Sequence, residues 1–200
     1  MKVSLIITTY NWPEALRLSL MSAARQTQLP DEVIVADDGS GEETRLLIAD
    51  MAHGYPCTLK HAWQEDRGFR AAESRNNALR QCEGDYVIFI DGDIVMERHF
   101  VEDHARMAER GYYVIGSRAR VSEELTGQLI KEGTVNLHWY TRGVYQRLNA
   151  LYLPMLRSLT QNYRRRVPLY GRSCNMAVFY DDLMRVNGFD SSLEGYGYED

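Results

Sequence analysis

Short apolar runs rich in β-branched residues alternate with helix-like segments along the first half of this 200-residue chain. The runs are VSLIITT at 3–9, EVIVA at 32–36 and YVIFI at 86–90. Runs of this length predict strands, and a continuous apolar run such as YVIFI is typical of a strand covered on both faces. Strands that alternate with helices predict right-handed βαβ crossovers and a mostly parallel sheet with helices on both faces.

Capping signals follow the first two runs. The segment Asn11-Trp12-Pro13-Glu14 predicts a helix start with Asn11 as N-cap, and Ser40 with Glu43 forms a capping box for a second helix. The other predicted elements are a strand near 58–62, helices over 69–81 and 97–110, a strand over 112–116, a strand pair around 167–179 and a short helix over 181–186. The expected fold class is α/β and Rossmann-like, with a less regular subregion after residue 117.

Composition limits the class of protein. A chain of 200 residues that is 44% hydrophobic can bury one sizeable core, so we expect one domain with two halves, 1–117 and 118–200. No stretch approaches the roughly 18 apolar residues of a membrane span. The three cysteines are widely spaced and fit neither a disulfide framework nor a zinc site, and the net charge of -5 argues against nucleic acid as the main partner. We expect a reducing, cytoplasmic location.

Polar clusters follow three of the predicted strands. Ligands of open α/β sheets bind beyond the carboxyl ends of the strands. That rule selects 8–11, 37–40 and 91–93, and we expect these clusters to line one crevice.

The segment Asp91-Gly92-Asp93 places two carboxylates after a buried strand, with a glycine that lets a ligand approach the backbone. Carboxylate oxygens suit Mg²⁺ or Mn²⁺ bound jointly with a diphosphate. One alternative is a tight Asp-Gly hairpin turn. Another is the DxDx[TV] motif of haloacid-dehalogenase-like phosphatases, with Asp91 as nucleophile and Asp93 as general acid. Those phosphatases carry the motif on their first strand, whereas here it follows about the fourth.

Other polar side chains could bind a nucleotide or act as a general base. Asp38 could accept a hydrogen bond from a nucleobase imide or a ribose, or it could belong to an Asx turn. Arg75, on the third predicted helix, offers a guanidinium to a diphosphate, although surface arginines are often only solvated. Glu199 and Asp200 end a glycine-rich and aromatic stretch that could deliver a general base, or could be a frayed tail.

Five segments in this order resemble the family 2 glycosyltransferases, which have the GT-A fold. The segments are VSLIITTYN, EVIVADDGS, EDRGFRAAESRNNAL, GDYVIFIDGDIV and CNMAVFYDDLMRVNGFDSSLEGYGYED. The last two are similar to bacterial chondroitin polymerase modules and to a galactosyltransferase-type C-terminal motif. The resemblance implies that residues 1–117 bind a nucleotide-sugar and that residues 118–200 form the acceptor side.

The same resemblance implies an inverting, metal-dependent hexosyltransferase of polysaccharide biosynthesis, with a UDP-sugar as donor and a glycan or lipid-linked hydroxyl as acceptor. A phosphatase and a non-catalytic sugar-nucleotide-binding module remain the alternatives. The implied nucleotide-binding residues are Thr8, Tyr10, Asp38, Arg75, Asp91 and Gly92, with Asp38 reading the imide of uracil. The implied metal ligands for Mn²⁺ or Mg²⁺ are Asp93, which binds the cation directly, and Asp91.

Asp200 is the implied catalytic base, and Glu199 is expected to orient the acceptor. The family pattern continues beyond this point, usually with a histidine that completes the metal site. We therefore expect the chain to be a fragment of a longer protein, which leaves the activity of this exact chain in question.

No acidic residue lies between Glu132 and Asp181, while seven arginines do. Within this segment, residues 142–166 have apolar residues at near-helical spacing, interrupted by Pro154. A basic amphipathic element can lie on an anionic membrane surface, close to a lipid-linked acceptor. The other interpretation is a helical insertion packed against the core or against a second subunit.

Overall fold

The computed structural model describes residues 1–152 and 173–192. Its strands are β1 Val3–Thr9, β2 Glu32–Asp37, β3 Thr58–Trp63, β4 Tyr86–Asp91, β5 Tyr113–Ile115, β6 Arg120–Val121, β7 Val144–Tyr145 and β8 Asn175–Phe179. Its helices are α1 Pro13–Ala23, α2 Glu42–Ala52, α3 Ala71–Leu79, α4 Phe100–Met107, α5 Glu123–Glu132 and α6 Tyr180–Met184, with a 3₁₀ turn at Arg147–Ala150.

Six strands form one sheet in the order β3-β2-β1-β4-β8-β5, and β6 pairs with β7 in a separate ribbon. The pairs β1–β2, β1–β4 and β2–β3 are parallel, whereas β8 runs antiparallel to both of its neighbours, β4 and β5. The predicted mostly parallel α/β fold is confirmed.

The sheet is covered on both faces because successive side chains of its inner strands point in opposite directions. Leu5 and Ile7 of β1 pack with residues of α1 and α2 on one face. Ile6 packs with residues of α3 and α6 on the other. Strands β1, β2 and β4 are thereby buried almost completely, and they carry the site at their ends.

Pro13 and Glu14 lie in the first turn of α1 as predicted. The predicted side-chain caps are wrong, because Asn11 and Ser40 form hydrogen bonds between the two loops instead. The N-caps are Trp12 for α1 and Gly41 for α2, and neither helix has a side-chain cap. Instead, the Asn11 backbone N–H donates to Ser40 Oγ at 2.9 Å, and the Gly41 N–H donates to Asn11 Oδ1 at 2.9 Å. These hydrogen bonds tie the loop after β1 to the loop after β2.

The second half differs from its prediction at Val144. Of the strand pair expected around 167–179, the described part is strand β8, which pairs with β4 and β5, and residues 167–172 lie outside the described residues. Val144, expected at a helical position, lies in β7 and packs with Leu18, Leu125 and Leu129. The rest of the predicted amphipathic element, 153–166, lies outside the described residues. Within residues 1–152 and 173–192, no helix is long and apolar enough to cross a membrane.

Candidate functional site

The ends of β1, β2 and β4 lie side by side because β1 is the central partner of both other strands. In the parallel register Thr9 is opposite Asp37 and Thr8 is opposite Asp91. The structure thus brings the three predicted polar clusters to one edge of the sheet, where parallel sheets bind ligands.

The Asp91-Gly92-Asp93 segment forms a turn that opens toward solvent. The Ile94 N–H donates to the Asp91 carbonyl at 3.2 Å, and the Gly92 N–H donates to the Thr8 carbonyl at 2.7 Å. A Cβ at Gly92 would lie 2.8 Å from that carbonyl oxygen, so the turn requires glycine. The hairpin interpretation is wrong, because the sheet neighbours of β4 are β1 and β8. Asp91 is partly exposed and Asp93 is exposed.

Arg75 of α3 reaches the end of β4 although it is only 3% exposed. Its Nε lies 3.3 Å from Thr8 Oγ1, and its guanidinium lies 3.7 Å from Asp91 Oδ1. The guanidinium also lies 5.5 Å from the centre of the Phe189 ring, within the range of a cation–π contact. Arg75 is thus a buried cation held at the predicted nucleotide site, not a solvated surface arginine.

Two residues at this edge were missed by the sequence analysis. Arg118 lies with Nη1 3.9 Å from Asp91 Oδ2. Phe189 is held to α3 by two hydrogen bonds with Asn76, of 2.8 and 3.0 Å, and packs edge-on against Phe89. Both contacts join positions far apart in the chain, and no local spacing signals such a contact.

The two aspartates after β2 have different environments. Asp37 is fully buried and accepts hydrogen bonds from His61 Nε2 and from the Ser40 N–H, each at 2.8 Å. Burial opposes ionisation, but these hydrogen bonds hold the pKa of Asp37 below its usual value. We assign Asp37 a role in holding β2, β3 and the following loop together.

Asp38 is 3% exposed and accepts hydrogen bonds from the Gln64 side-chain amide and the Arg70 backbone N–H, each at 2.7 Å. Burial raises the pKa of Asp38 despite these donors. The bonds fix the loop 64–70 against β2. Sequence patterns did not reveal Gln64, because its contact depends on the β2–β3 pairing.

Tyr10 lies over the same loop with half of its surface exposed. Its hydroxyl donates to Asp66 Oδ2 at 3.0 Å, and this hydrogen bond raises the pKa of the phenol. The loop approaches Gly39 so closely that a Cβ there would lie 2.5 Å from Asp66 Cα. With a φ of +100°, Gly39 also adopts a conformation that favours glycine.

Asp91 and Asp93 are the carboxylates that could hold a divalent cation at this edge. Within the described ranges, no three His, Cys, Asp or Glu side chains gather as a metal site. A pair of carboxylates still fits Mg²⁺ or Mn²⁺, since such ions often take remaining ligands from water and substrate phosphates. The predicted catalytic residues Glu199 and Asp200 lie outside the described residues.

Comparison with known proteins shows that this chain is similar to glycosyltransferases. A validoxylamine A glucosyltransferase of Streptomyces hygroscopicus subsp. limoneus is 29% identical over 211 residues, which cover 99% of this chain and 46% of that protein. A chondroitin synthase of Pasteurella multocida is 26% identical over 224 residues, covering 99% of this chain and 22% of the synthase. The chain thus spans less than half the length of these relatives.

The fold is also similar to that of a glycosyltransferase of known structure. A mannosyltransferase of Pyrobaculum calidifontis, solved in complex with GDP-Man and Mn²⁺, superposes with a TM-score of 0.66 at 21% identity and covers 100% of this chain and 49% of its own. The profile of the family described as "Glycosyl transferase family 2" matches residues 4–183. Because that match spans most of the sequence, the chain belongs to glycosyl transferase family 2.

Proposed function

We propose that this glycosyltransferase moves a hexosyl group from a UDP-sugar to a hydroxyl of a glycan or lipid-linked acceptor, with inversion at the anomeric carbon. The observation that supports this most directly is the placement of Arg75 between Thr8 of β1 and Asp91 of β4. A buried guanidinium beside an aspartate-rich turn suits a diphosphate and its cation.

In this proposal the nucleobase lies near Thr8, Tyr10 and Asp38. Tyr10 offers an exposed ring, and Asp38 faces the same loop. A carboxylate accepts up to about four hydrogen bonds, so the two that Asp38 receives from protein donors leave capacity for the imide of uracil.

Asp93 and Asp91 would hold Mn²⁺ or Mg²⁺, and the cation when bound supplies Lewis-acid stabilisation of several kcal/mol to the leaving diphosphate. Arg75 adds a fixed positive charge beside Asp91. Asp200 takes the proton of the acceptor hydroxyl while that oxygen bonds to the anomeric carbon and the bond to the diphosphate oxygen breaks. General-base catalysis contributes on the order of 10²- to 10⁴-fold.

A nucleotide panel tests the donor assignment. Thermal shifts with UDP, GDP and ADP, each with and without Mn²⁺, should show the largest stabilisation for UDP with Mn²⁺. Equal or greater stabilisation by GDP would contradict the assignment of uracil.

The catalytic base is tested by Asp200→Asn, with Glu194→Gln as the matched change in the same C-terminal stretch. Asp200→Asn should leave UDP binding unchanged and remove turnover, whereas Glu194→Gln should retain both. The anomeric configuration of the product, read by NMR, should be opposite to that of the donor. Retention of configuration would contradict a single displacement.

We also propose a cytoplasmic enzyme that contacts the inner membrane surface through residues 142–166. The described part of this segment supports the idea, because Arg142 and Arg147 are exposed and Leu148 is 82% exposed. Flotation with anionic liposomes should recover the protein, and neutral liposomes should recover much less. Absence from both fractions at low salt would contradict membrane contact.

A further inference from the structure

Arg118 is an exposed arginine at the site to which neither a sequence motif nor the proposed mechanism assigns a role. Its Nη1 lies 3.9 Å from Asp91 Oδ2, and the two side chains are 40% and 37% exposed. This separation is longer than the roughly 2.7–3.2 Å of a hydrogen bond. Asp91 is the one carboxylate of the described residues at ion-pair distance from Arg118. The guanidinium fork therefore has donors available to a ligand.

The backbone that carries Arg118 is fixed from two sides. On one side, Asn175 at the start of β8 donates from Nδ2 to the Ser117 carbonyl at 3.0 Å and accepts from the Gly116 N–H at 2.9 Å. On the other side, Asn149 Nδ2 donates to the Arg118 carbonyl at 3.0 Å. These hydrogen bonds fix the backbone from which the Arg118 side chain extends, so its exposed guanidinium is attached at a set position beside Asp91.

Asn175 is in turn oriented by His104 of α4. His104 is 6% exposed, and its Nε2 lies 3.0 Å from Asn175 Oδ1. Burial lowers the pKa of His104 to about 4, so near neutral pH the ring is uncharged and its Nε2–H donates to Oδ1. That bond directs Nδ2 of Asn175 to the Ser117 carbonyl. A Cβ at Gly116 would lie 2.2 Å from the same amide group, so glycine is needed for this packing.

We infer that Arg118 is a second diphosphate-binding residue, positioned by Asn175 and His104. Arg75 and Arg118 lie near different oxygens of Asp91, at 3.7 and 3.9 Å. A diphosphate that enters beside the Asp91–Asp93 turn would therefore meet one buried and one exposed guanidinium. Arginine forks match phosphate oxygens in geometry and charge. This inference rests on the proposed function, since it assigns Arg118 to the donor's leaving group.

The test compares inorganic pyrophosphate, UDP and uridine as ligands, each with Mg²⁺, by isothermal titration calorimetry. Arg118→Gln should weaken pyrophosphate and UDP binding by about 10- to 100-fold, as expected for lost hydrogen bonds to a charged group. Uridine, which has no phosphate, should bind with unchanged affinity. The matched control is Arg120→Gln, because Arg120 is also exposed but lies on the β6–β7 ribbon, and it should bind all three ligands as the wild type does.

Asn175→Ala tests the positioning role. This variant should weaken the binding of pyrophosphate and UDP less than Arg118→Gln does, and it should leave the binding of uridine unchanged. If Asn175 had only a structural role, the variant would bind all three ligands more weakly, and that result would contradict the positioning of Arg118 by Asn175.

Two results would overturn the assignment of Arg118. One is wild-type affinity of Arg118→Gln for pyrophosphate, and the other is a wild-type protein that does not bind pyrophosphate. If pyrophosphate binding depends on Arg118 but UDP binds no better than GDP, the inference stands and the uracil assignment fails.

Discussion

The guanidinium of Arg75 lies 3.7 Å from the Asp91 carboxylate, so a charge on α3 is held at the end of strand β4. Arg75 is 3% exposed, and a buried charge is costly unless it is paired. The loss of either partner should therefore change both the stability of the protein and the charge at the end of β4.

Arg75→Gln should therefore lower both stability and UDP affinity. The variant keeps a polar side chain but leaves Asp91 without its buried cation, and we expect a loss of about 1–3 kcal/mol in the free energy of unfolding. UDP affinity should fall at least about tenfold, a change of about 1.4 kcal/mol. Urea unfolding and calorimetry measure the two effects. Arg80→Gln, an exposed change just after α3, should alter neither, and an equal effect of both variants would contradict the role of Arg75.

His61→Ala should destabilise the protein more than His53→Ala. His61 donates to the fully buried Asp37 at 2.8 Å, and its loss leaves that carboxylate with one hydrogen-bond donor fewer, at a cost of about 1–3 kcal/mol. His53 is exposed and contacts the Ala49 carbonyl of its own helix, so its loss should cost about 0.5 kcal/mol or less. Urea midpoints of the two variants make the comparison, and equal midpoints would contradict the structural role of Asp37.

Gly92→Ala should damage the site, whereas Gly127→Ala should stabilise the protein. A Cβ at Gly92 would meet the Thr8 carbonyl at 2.8 Å, so the turn that holds Asp91 and Asp93 must shift. A Cβ at Gly127 in α5 meets nothing within 4 Å, and alanine in a helix is favoured over glycine by about 0.5–1 kcal/mol. UDP titration and thermal unfolding separate the effects. Unchanged UDP affinity in Gly92→Ala would show that the turn does not position the donor.

Stability should fall in acid because two buried carboxylates of β2 are stabilised as anions. Burial opposes the ionisation of Glu32. The Glu83 N–H, the Lys60 ammonium and the Ser4 hydroxyl all donate to its carboxylate, and the net effect is a lowered pKa. The pKa of Asp37 is lowered as well. A lowered folded-state pKa contributes stability that is present above the unfolded value of about 4 and is lost as the pH falls through the folded value.

The free energy of unfolding should thus decline below about pH 4 with a slope that Glu32→Gln reduces. Urea unfolding at a series of pH values measures this slope. Glu43→Gln, at an exposed position of α2, should keep the wild-type slope. A slope in Glu32→Gln equal to that of the wild type would exclude Glu32 as a source of the acid sensitivity.

Sequence patterns predicted those parts of the fold that depend on local periodicity. The runs at 3–9, 32–36 and 86–90 became β1, β2 and β4 with ends within one residue of the prediction, since strands buried on both faces need continuous apolar residues. Helix ends were predicted less well. Phe100–Met107 is shorter than the expected 97–110, and the cap residues bond across loops instead of within helices.

Residue spacing predicted the part of the site that lies at strand ends. Thr8 and Asp91 lie at the ends of β1 and β4, and Asp38 directly follows β2, so the parallel sheet fixes their places. Arg118 and Phe189 approach the same edge from distant parts of the chain, through the antiparallel insertion of β8 and the docking of Phe189 on Asn76. Such contacts depend on tertiary packing, which spacing in one sequence does not encode.

The central claim is that the Asp91–Asp93 turn holds a divalent cation that in turn holds the donor's diphosphate. Its most direct test is the dissociation constant of UDP, measured with and without Mn²⁺, for wild type, Asp93→Ala and Asp50→Ala. Asp50 is an exposed aspartate near the end of α2 and serves as the matched control. Mn²⁺ should strengthen UDP binding to wild type and Asp50→Ala at least about tenfold, a gain of about 1.4 kcal/mol, and should have no effect on Asp93→Ala. Equal enhancement by Mn²⁺ in all three proteins would contradict the claim.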